Sequence, residues 1–118
     1  MTKIVKEPGL TIVELDTSYD SLEEAKLDQF SKLLLSTVDR ADPPVVLLDL
    51  AGAPFVGSTF LGVLVRAWKR LRDRQGRLAV CHANQVCGDV LRASKLDTIW
   101  EIYPGRDEAV RELAGSDS

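Results

Sequence analysis

Apolar residues recur along the chain with two periods, one typical of strands and one typical of helices. Short runs rich in β-branched residues, bounded by polar or turn-forming residues, predict strands at residues 3–7, 10–15, 45–50, 77–81 and 99–103. The first two runs flank a Pro-Gly pair, which predicts an antiparallel hairpin. The run at 45–50 is almost wholly apolar, as in a strand covered on both faces, so we expect it at the centre of the sheet.

Helical spacing begins after the hairpin. Ser21 and Glu24 form a capping box, and the Asp-Pro-Pro sequence at residues 42–44 stops the pattern, so a first helix is expected between them. The predicted core-facing residues of this helix are Leu27, Phe30, Leu34 and Val38.

A second helix is expected from Ser58 or Thr59 to about Arg74. Its predicted apolar stripe consists of Leu61, Leu64, Val65, Trp68 and Leu71. A short third helix is expected from Asn84, and a fourth after the Pro-Gly pair at residues 104–105.

The order of elements, β-β-α-β-α-β-α-β-α, predicts an α/β fold. Strands that alternate with helices imply right-handed crossovers onto a mixed, mostly parallel sheet of four or five strands with about four helices. With 118 residues, the chain is expected to form one domain over residues 1–118, with a polar tail at 114–118.

Composition excludes some classes of protein. The apolar fraction of 45% supplies a core without a metal or disulfide staple. Apolar runs have at most four residues, whereas a membrane span needs about 18. No apolar segment follows Lys3 and Lys6 at the N-terminus, so no secretory signal is expected and the sequence predicts a cytoplasmic protein.

Charge is unevenly distributed along a chain with a net charge of −3. Residues 1–57 carry 5 basic and 10 acidic side chains, and residues 58–118 carry 10 and 8. The second helix is locally basic through Arg66, Lys69, Arg70, Arg72 and Arg74. We interpret these residues as a solvated face and not as a nucleic-acid surface, because the overall charge is acidic and no helix-turn-helix pattern surrounds them.

Few residues could support catalysis or metal binding. Cys81, His82 and Cys87 do not complete a zinc site, because the sequence has no other Cys or His. Ser58, His82 and Asp49 form a catalytic triad only on paper, since residues 57–59 lack a nucleophile elbow. Phosphate-cradling glycine motifs are missing as well. We therefore expect no catalytic residue, metal or cofactor in this chain.

The most informative segment is the loop at residues 51–57 with the helix start that follows it. In open α/β sheets, functional loops follow the carboxyl end of a central parallel strand. Ser58 and Thr59 stand at the positive end of the helix, where a hydroxyl acts either as an N-cap or as an acceptor for a phosphoryl group.

One side of the second helix carries small and basic residues. At 100° per residue, this predicted outer side consists of Thr59, Gly62, Val63, Arg66 and Arg70. A glycine inside a helix costs about 1 kcal/mol relative to alanine. Gly62 therefore predicts a close approach, either by a partner or by the protein's own sheet or loop.

The order of elements and the segments at 45–50, 55–64 and 102–109 resemble the STAS family of anti-sigma factor antagonists over nearly the whole chain. In that family, D-S-S/T-G-L-G-V stands at the start of a helix, and its first serine accepts phosphate. Ser58 occupies that position. The residues that follow it and match the pattern are Thr59, Leu61, Gly62 and Val63.

Three positions of this sequence depart from the family pattern. Gly57 stands in place of the aspartate, and Phe60 in place of the first glycine, where it adds bulk near the expected docking surface. The segment from Glu14 to Asp16 is similar to the family's G-E-L-D, with Val13 at the glycine position.

The resemblance implies a cytoplasmic regulator that is not an enzyme. It implies binding to an anti-sigma factor with serine-kinase activity and a histidine-kinase-like fold, which itself holds ATP and Mg²⁺. Phosphorylation of Ser58, with Thr59 as the alternative acceptor, would inactivate the chain. The partner-binding residues that the resemblance implies are Gly57, Ser58, Thr59, Phe60, Gly62, Val63, Arg66, Glu14 and Asp16.

Two other functions fit the sequence less well. A STAS scaffold or ligand-binding module without phosphorylation is favoured by the missing carboxylate at Gly57. A small hydrolase or transferase that uses Ser58 needs a general base, and the sequence identifies none.

Overall fold

The computed structural model describes residues 3–15, 24–51 and 58–114, with side chains described except at 24–27, 58, 59 and 114. Within these ranges the chain forms five strands, four α-helices and one 3₁₀ helix. They are β1 (Lys3–Glu7), β2 (Leu10–Glu14), α1 (Glu24–Arg40), β3 (Val45–Asp49), α2 (Ser58–Asp73), β4 (Arg77–Cys81), α3 (Gln85–Ala93), the 3₁₀ helix (Leu96–Thr98), β5 (Glu101–Tyr103) and α4 (Arg106–Ala114).

All five strands of the described residues belong to one mixed sheet in the order β1-β2-β3-β4-β5. β1 and β2 form an antiparallel hairpin, and each later pair of neighbours is parallel. The apolar strand β3 lies at the centre, as its composition predicts. The predicted α/β class, the mixed sheet and the order of the main elements are confirmed.

Helices cover both faces of the sheet. The larger core lies between one face of the sheet and α1, α2 and α3, and the smaller core lies between the other face and α4. Alternate residues of β3 enter the two cores, since Val46 and Leu48 face the larger one and Leu47 faces the smaller one. This explains why β3 lacks polar residues before Asp49.

The predicted core of α1 is largely confirmed. Phe30, Leu34 and Val38 are fully buried. Ser21 of the predicted capping box lies outside the described residues, as does the side chain of Leu27. At α3, the Asn84 side chain accepts the backbone N–H of Cys87 at 2.8 Å, which confirms the predicted helix start.

The last strand is shorter than the predicted 99–103, because the 3₁₀ helix precedes it. The N–H groups of Ile99 and Trp100 both donate to the carbonyl of Leu96, at 3.1 and 2.9 Å. These bonds keep residues 99 and 100 out of the strand ladder. None of the helices in the described ranges combines the length and the apolar character that a membrane crossing requires.

An ion pair ties the short edge strand β5 to β4. Arg77 Nε donates to Glu101 Oε2 at 2.8 Å, and Arg77 Nη2 donates to the other oxygen of the same carboxylate. The Tyr103 hydroxyl also donates to that carboxylate, at 2.8 Å. The hydrogen bond from Arg77 holds the pKa of Glu101 below its usual value.

Glu101→Gln should therefore change the pH dependence of stability. Because the folded-state pKa of Glu101 is lowered, its stabilising contribution is complete above the usual pKa of 4.5 and is lost as the pH falls through the folded-state value. The variant should be less stable than the parent at pH 7, by less than about 1 kcal/mol since the pair is partly exposed, and should match it in strong acid.

Urea unfolding from about pH 2 to pH 7 measures this difference, with the exposed Glu108→Gln as the control. A difference between Glu101→Gln and the parent that stays constant with pH would contradict the assignment.

Candidate functional site

At the carboxyl ends of four strands, four ionisable side chains lie in one row across the sheet. The strand register pairs Glu14 with Asp49, Asp49 with Cys81, and Cys81 with Tyr103. Register neighbours point to the same face of a sheet, so these residues share the face that α4 covers. Since β3 is the strand that precedes α2, this row lies at the edge of the sheet that leads to Ser58.

Asp49 is the centre of a polar network at this edge. Its side chain is only 8% exposed. Oδ1 accepts the backbone N–H of Ala51 at 3.0 Å and lies 3.0 Å from His82 Nδ1, and Oδ2 lies 3.7 Å from Arg106 Nη1. A buried carboxylate requires such partners to offset its loss of hydration. Asp49 thereby fixes the first residue of the chain segment that leads from β3 to Ser58.

Arg106, the first residue of α4, completes the network. Its Nη1 donates to Glu14 Oε2, and this hydrogen bond raises the pKa of Arg106 above its usual value, so the guanidinium stays charged. The half-buried carboxylate of Glu14, a predicted partner contact, is therefore held in an internal ion pair.

Sequence analysis missed Arg106. The available signal was the acidic residue at the end of each of two adjacent strands, Glu14 and Asp49. Two such residues side by side indicate that a cation is needed nearby.

The structure brings together two members of the triad considered from the sequence, Asp49 and His82. The side chain of Ser58, the third member, lies outside the described side chains. His82 itself is exposed and has a left-handed backbone with φ 58°. The hydrogen bond to Asp49 holds this loop residue in place after β4.

Asp49, Cys81 and His82 also place three potential metal-ligand atoms within 4.8 Å of one another. Burial, reinforced by the charge of Asp49, raises the pKa of the Cys81 thiol to about 12. The thiol is then protonated at neutral pH in the absence of a metal ion. The Asp49 carboxylate already has the Ala51 N–H, His82 and Arg106 as partners, so we interpret the cluster as a structural network.

The helix α2 presents a wider buried face than predicted. Its buried residues are Phe60, Leu61, Val63, Leu64, Ala67 and Leu71. Val65 and Trp68, which were predicted to face the core, are half-buried at the margin. Leu61, Leu64 and Leu71 of the predicted stripe are buried, and Val65 and Trp68 pack against the same core, so the predicted stripe is confirmed.

Val63 was predicted on the outer side of α2, and this placement is wrong because its exposure is 2%. The reason is the position of α1, which packs along this flank of α2. Arg70 pairs with Asp39 of α1 at 2.6 Å, and Arg74 Nη2 donates to the carbonyl of Ala41 at 2.7 Å. The flank that contains Val63 is thereby covered.

Phe60 was expected to add bulk near the docking surface, but its side chain packs into the core. Phe60 is 2% exposed, and its ring stacks on Phe30 of α1 with the centroids 5.1 Å apart and the planes within 10°. An aromatic pair of this geometry adds to the energy of burial. Phe60 therefore anchors the first turn of α2 to α1.

Gly62 and Arg66 are exposed, as predicted. A Cβ atom at Gly62 would meet no atom within 4 Å. Close packing against the described part of the protein is therefore not the reason for a glycine here. Asp16 and Gly57 lie outside the described residues, and Ser58 and Thr59 are described only as the first backbone positions of α2.

Asp49→Ala should destabilise the fold, because it removes charge-assisted bonds from a buried site and leaves His82 without its partner. We expect a loss of about 2 kcal/mol in the free energy of unfolding, measured with urea at pH 7. Asp73→Ala, at an exposed carboxylate 3.9 Å from Arg72, is the control and should change stability by less than about 0.5 kcal/mol. Equal effects of the two substitutions would refute the central role of Asp49.

Comparison with known proteins identifies relatives over almost the whole chain. The family model of the STAS domain matches residues 2–109. An anti-sigma F factor antagonist of Paenibacillus polymyxa is 28% identical over 105 residues, which cover 89% of this chain and 87% of that protein.

Solved structures agree with this match. An anti-sigma-factor antagonist (STAS) domain protein of Planctomyces limnophilus has 32% identity and a TM-score of 0.88, and the match covers 96% of this chain and 97% of that one. The anti-sigma factor antagonist SpoIIAA in its unphosphorylated form has a TM-score of 0.79 at 13% identity, with 98% and 97% covered, a likeness that concerns the fold alone.

Proposed function

Because this chain belongs to the STAS domain family, we propose that it is an anti-sigma factor antagonist controlled by phosphorylation. It binds an anti-sigma factor that is a serine kinase and thereby frees a sigma factor. The kinase, which holds ATP and Mg²⁺, phosphorylates Ser58 and so ends the binding. In this proposal the chain acts in the cytoplasm as a binding partner and substrate, and not as an enzyme.

The observation that carries the proposal is the bare helix surface beside Ser58. Gly62 lies one turn after Ser58, it is exposed, and no atom of the described residues lies where its Cβ would be. A glycine in the middle of a helix lowers the stability of the fold, and no contact within the described structure offsets this loss. Close docking of a partner backbone over the first two turns of α2 would supply the compensation.

The start of α2 is electrostatically suited to a phosphoryl group. Backbone N–H groups of the first turn have no partner within the helix and favour an anion. The first turn of α2 contains no acidic side chain that would repel it. A phosphoserine at position 58 would add a charge of about −1.5 to −2. Because the free N–H groups of the first turn favour this charge, the protein itself tolerates the modification.

The same charge makes an effective switch at an interface. If the partner packs closely over position 58, desolvation or repulsion of the phosphate costs about 3 kcal/mol, which lowers the affinity roughly a hundredfold. No refolding is required. The polar network around Asp49 can therefore keep one conformation while phosphorylation prevents partner binding.

Phosphorylation is tested with the purified chain, each candidate anti-sigma kinase of the source organism, and Mg-ATP. Mass spectrometry should locate phosphate at residue 58 in the parent and in Thr59→Ala, and none in Ser58→Ala. Phosphate that persists in Ser58→Ala and disappears in Thr59→Ala would move the acceptor to Thr59. No phosphate in any form would contradict the switch and favour a STAS scaffold, the function that Gly57 also favours.

Gly62→Ala separates stability from binding. The methyl group would meet open space, so the free energy of unfolding should rise by up to about 1 kcal/mol. The same methyl group should obstruct a closely docked partner and weaken binding to the kinase at least about tenfold. Urea unfolding and calorimetric titration measure the two effects.

The matched control for Gly62→Ala is Gly105→Ala. Gly105 is likewise a site where an added Cβ would meet no atom within 4 Å, but it lies beside α4 on the other side of the sheet. The substitution Gly105→Ala should leave the affinity for the kinase unchanged. Unchanged affinity of Gly62→Ala would contradict docking at this surface.

A further inference from the structure

The outermost stripe of α2 carries two basic side chains beyond the bare glycine. Gly62, Arg66 and Lys69 are spaced by four and three residues, so they lie on one line along the helix, opposite its buried face. From Gly62 to Lys69 this line is about 10 Å long, at 1.5 Å per residue. We call these three residues the basic stripe.

The other basic residues of α2 have roles inside the molecule. Arg70 pairs with Asp39, and Arg74 donates to the backbone carbonyls of Val38 and Ala41 at the end of α1. The guanidinium of Arg72 lies 4.9 Å from the centre of the Trp68 ring, where a cation–π contact forms. Packing of α2 on α1 therefore accounts for Arg70 and Arg74, and a contact within α2 accounts for Arg72.

Arg66 and Lys69 have no such role. In the part of the chain that the structure describes, both are exposed and neither forms an ion pair or a side-chain hydrogen bond. At Arg66 the spacing is unfavourable for the helix itself, because Lys69 and Arg70 place like charges three and four residues away, whereas Lys69 has the opposite charge of Asp73 four residues later. The stripe is also positive on a chain whose net charge is −3. The charge at Arg66 is therefore explained by neither helix stability nor overall composition.

We propose that the partner docked on α2 presents an acidic segment to the basic stripe. Carboxylates of that segment pair with Arg66 and Lys69, while its backbone approaches the helix at Gly62. This inference rests on the proposed function and names the chemistry of the kinase surface that binds. A nucleic acid fits less well, because the remaining surface of the chain carries the excess negative charge.

Complementary charges at the margin of an interface act mainly on the association rate and on its salt dependence. The basic stripe extends the docking surface away from Ser58, so it would orient the partner before the close contact at Gly62 forms. Binding of the kinase should therefore be fastest at low ionic strength.

The test compares Arg66→Glu and Lys69→Glu with Arg111→Glu, an exposed arginine of α4 on the opposite face of the sheet. Each substitution changes the net charge from −3 to −5, so a general charge effect would be equal in all three. Association and dissociation rates are measured with each purified candidate kinase at several NaCl concentrations. Circular dichroism and urea unfolding check that each variant is folded.

We expect Arg66→Glu and Lys69→Glu to weaken kinase binding at least about fivefold at low salt, mainly through the association rate, and the difference should shrink as salt rises. Arg111→Glu should remain within about twofold of the parent. Equal weakening by all three would overturn the inference, and so would unchanged binding of the two α2 variants.

Failure of this inference is distinguishable from failure of the proposed function. If Gly62→Ala weakens binding and Arg66→Glu does not, the docking surface stands and the acidic partner segment is wrong. If the parent binds no candidate kinase, the proposed function and this inference both fall. Binding of the parent to double-stranded DNA that is lost in Arg66→Glu would instead assign the stripe to nucleic acid and overturn the proposal.

Discussion

The architecture depends on one buried carboxylate at the end of the central strand. Asp49 cannot be left without partners in a site that is almost closed to water. Its partners come from three other parts of the chain: His82 after β4, Arg106 at the start of α4, and the backbone of Ala51. The requirement to satisfy one charge thus draws the loop after β4, α4 and the approach to α2 together at one edge of the sheet.

The two sides of the helix α2 differ, because one side holds the helix in the fold and the other is the docking surface of the proposed function. Its inner side is anchored by the stacking of Phe60 on Phe30 and by burial of Leu64 and Leu71. The opposite line lacks apolar anchors and begins with the exposed Gly62. A rigid helix that is held firmly from one side can present bare backbone on the other, as docking without conformational change requires.

Much of the fold was predictable because it depends on local periodicity. The apolar run of β3 placed that strand at the centre, and alternating elements implied the crossovers. The burial of side chains at the flanks of α2 was less predictable. Val63 is buried because α1, which is distant in sequence, packs along its flank of α2. The contact of Arg106 with Glu14 likewise depends on strand register and on the position of α4, 92 residues later. The sequence indicated that Gly62 and Arg66 are exposed, but it did not indicate the polar network around Asp49 on the other face of the sheet.

Hydrogen–deuterium exchange of the chain alone and in complex with the proposed kinase partner tests the central claim most directly. Backbone amides report local opening and its suppression by a bound partner. The account predicts slower exchange on binding in residues 58–70, with the amides of α4 unchanged, and loss of that protection after phosphorylation. Protection confined to α4 or to the edge strands β1 and β5, with α2 unaffected, would contradict it.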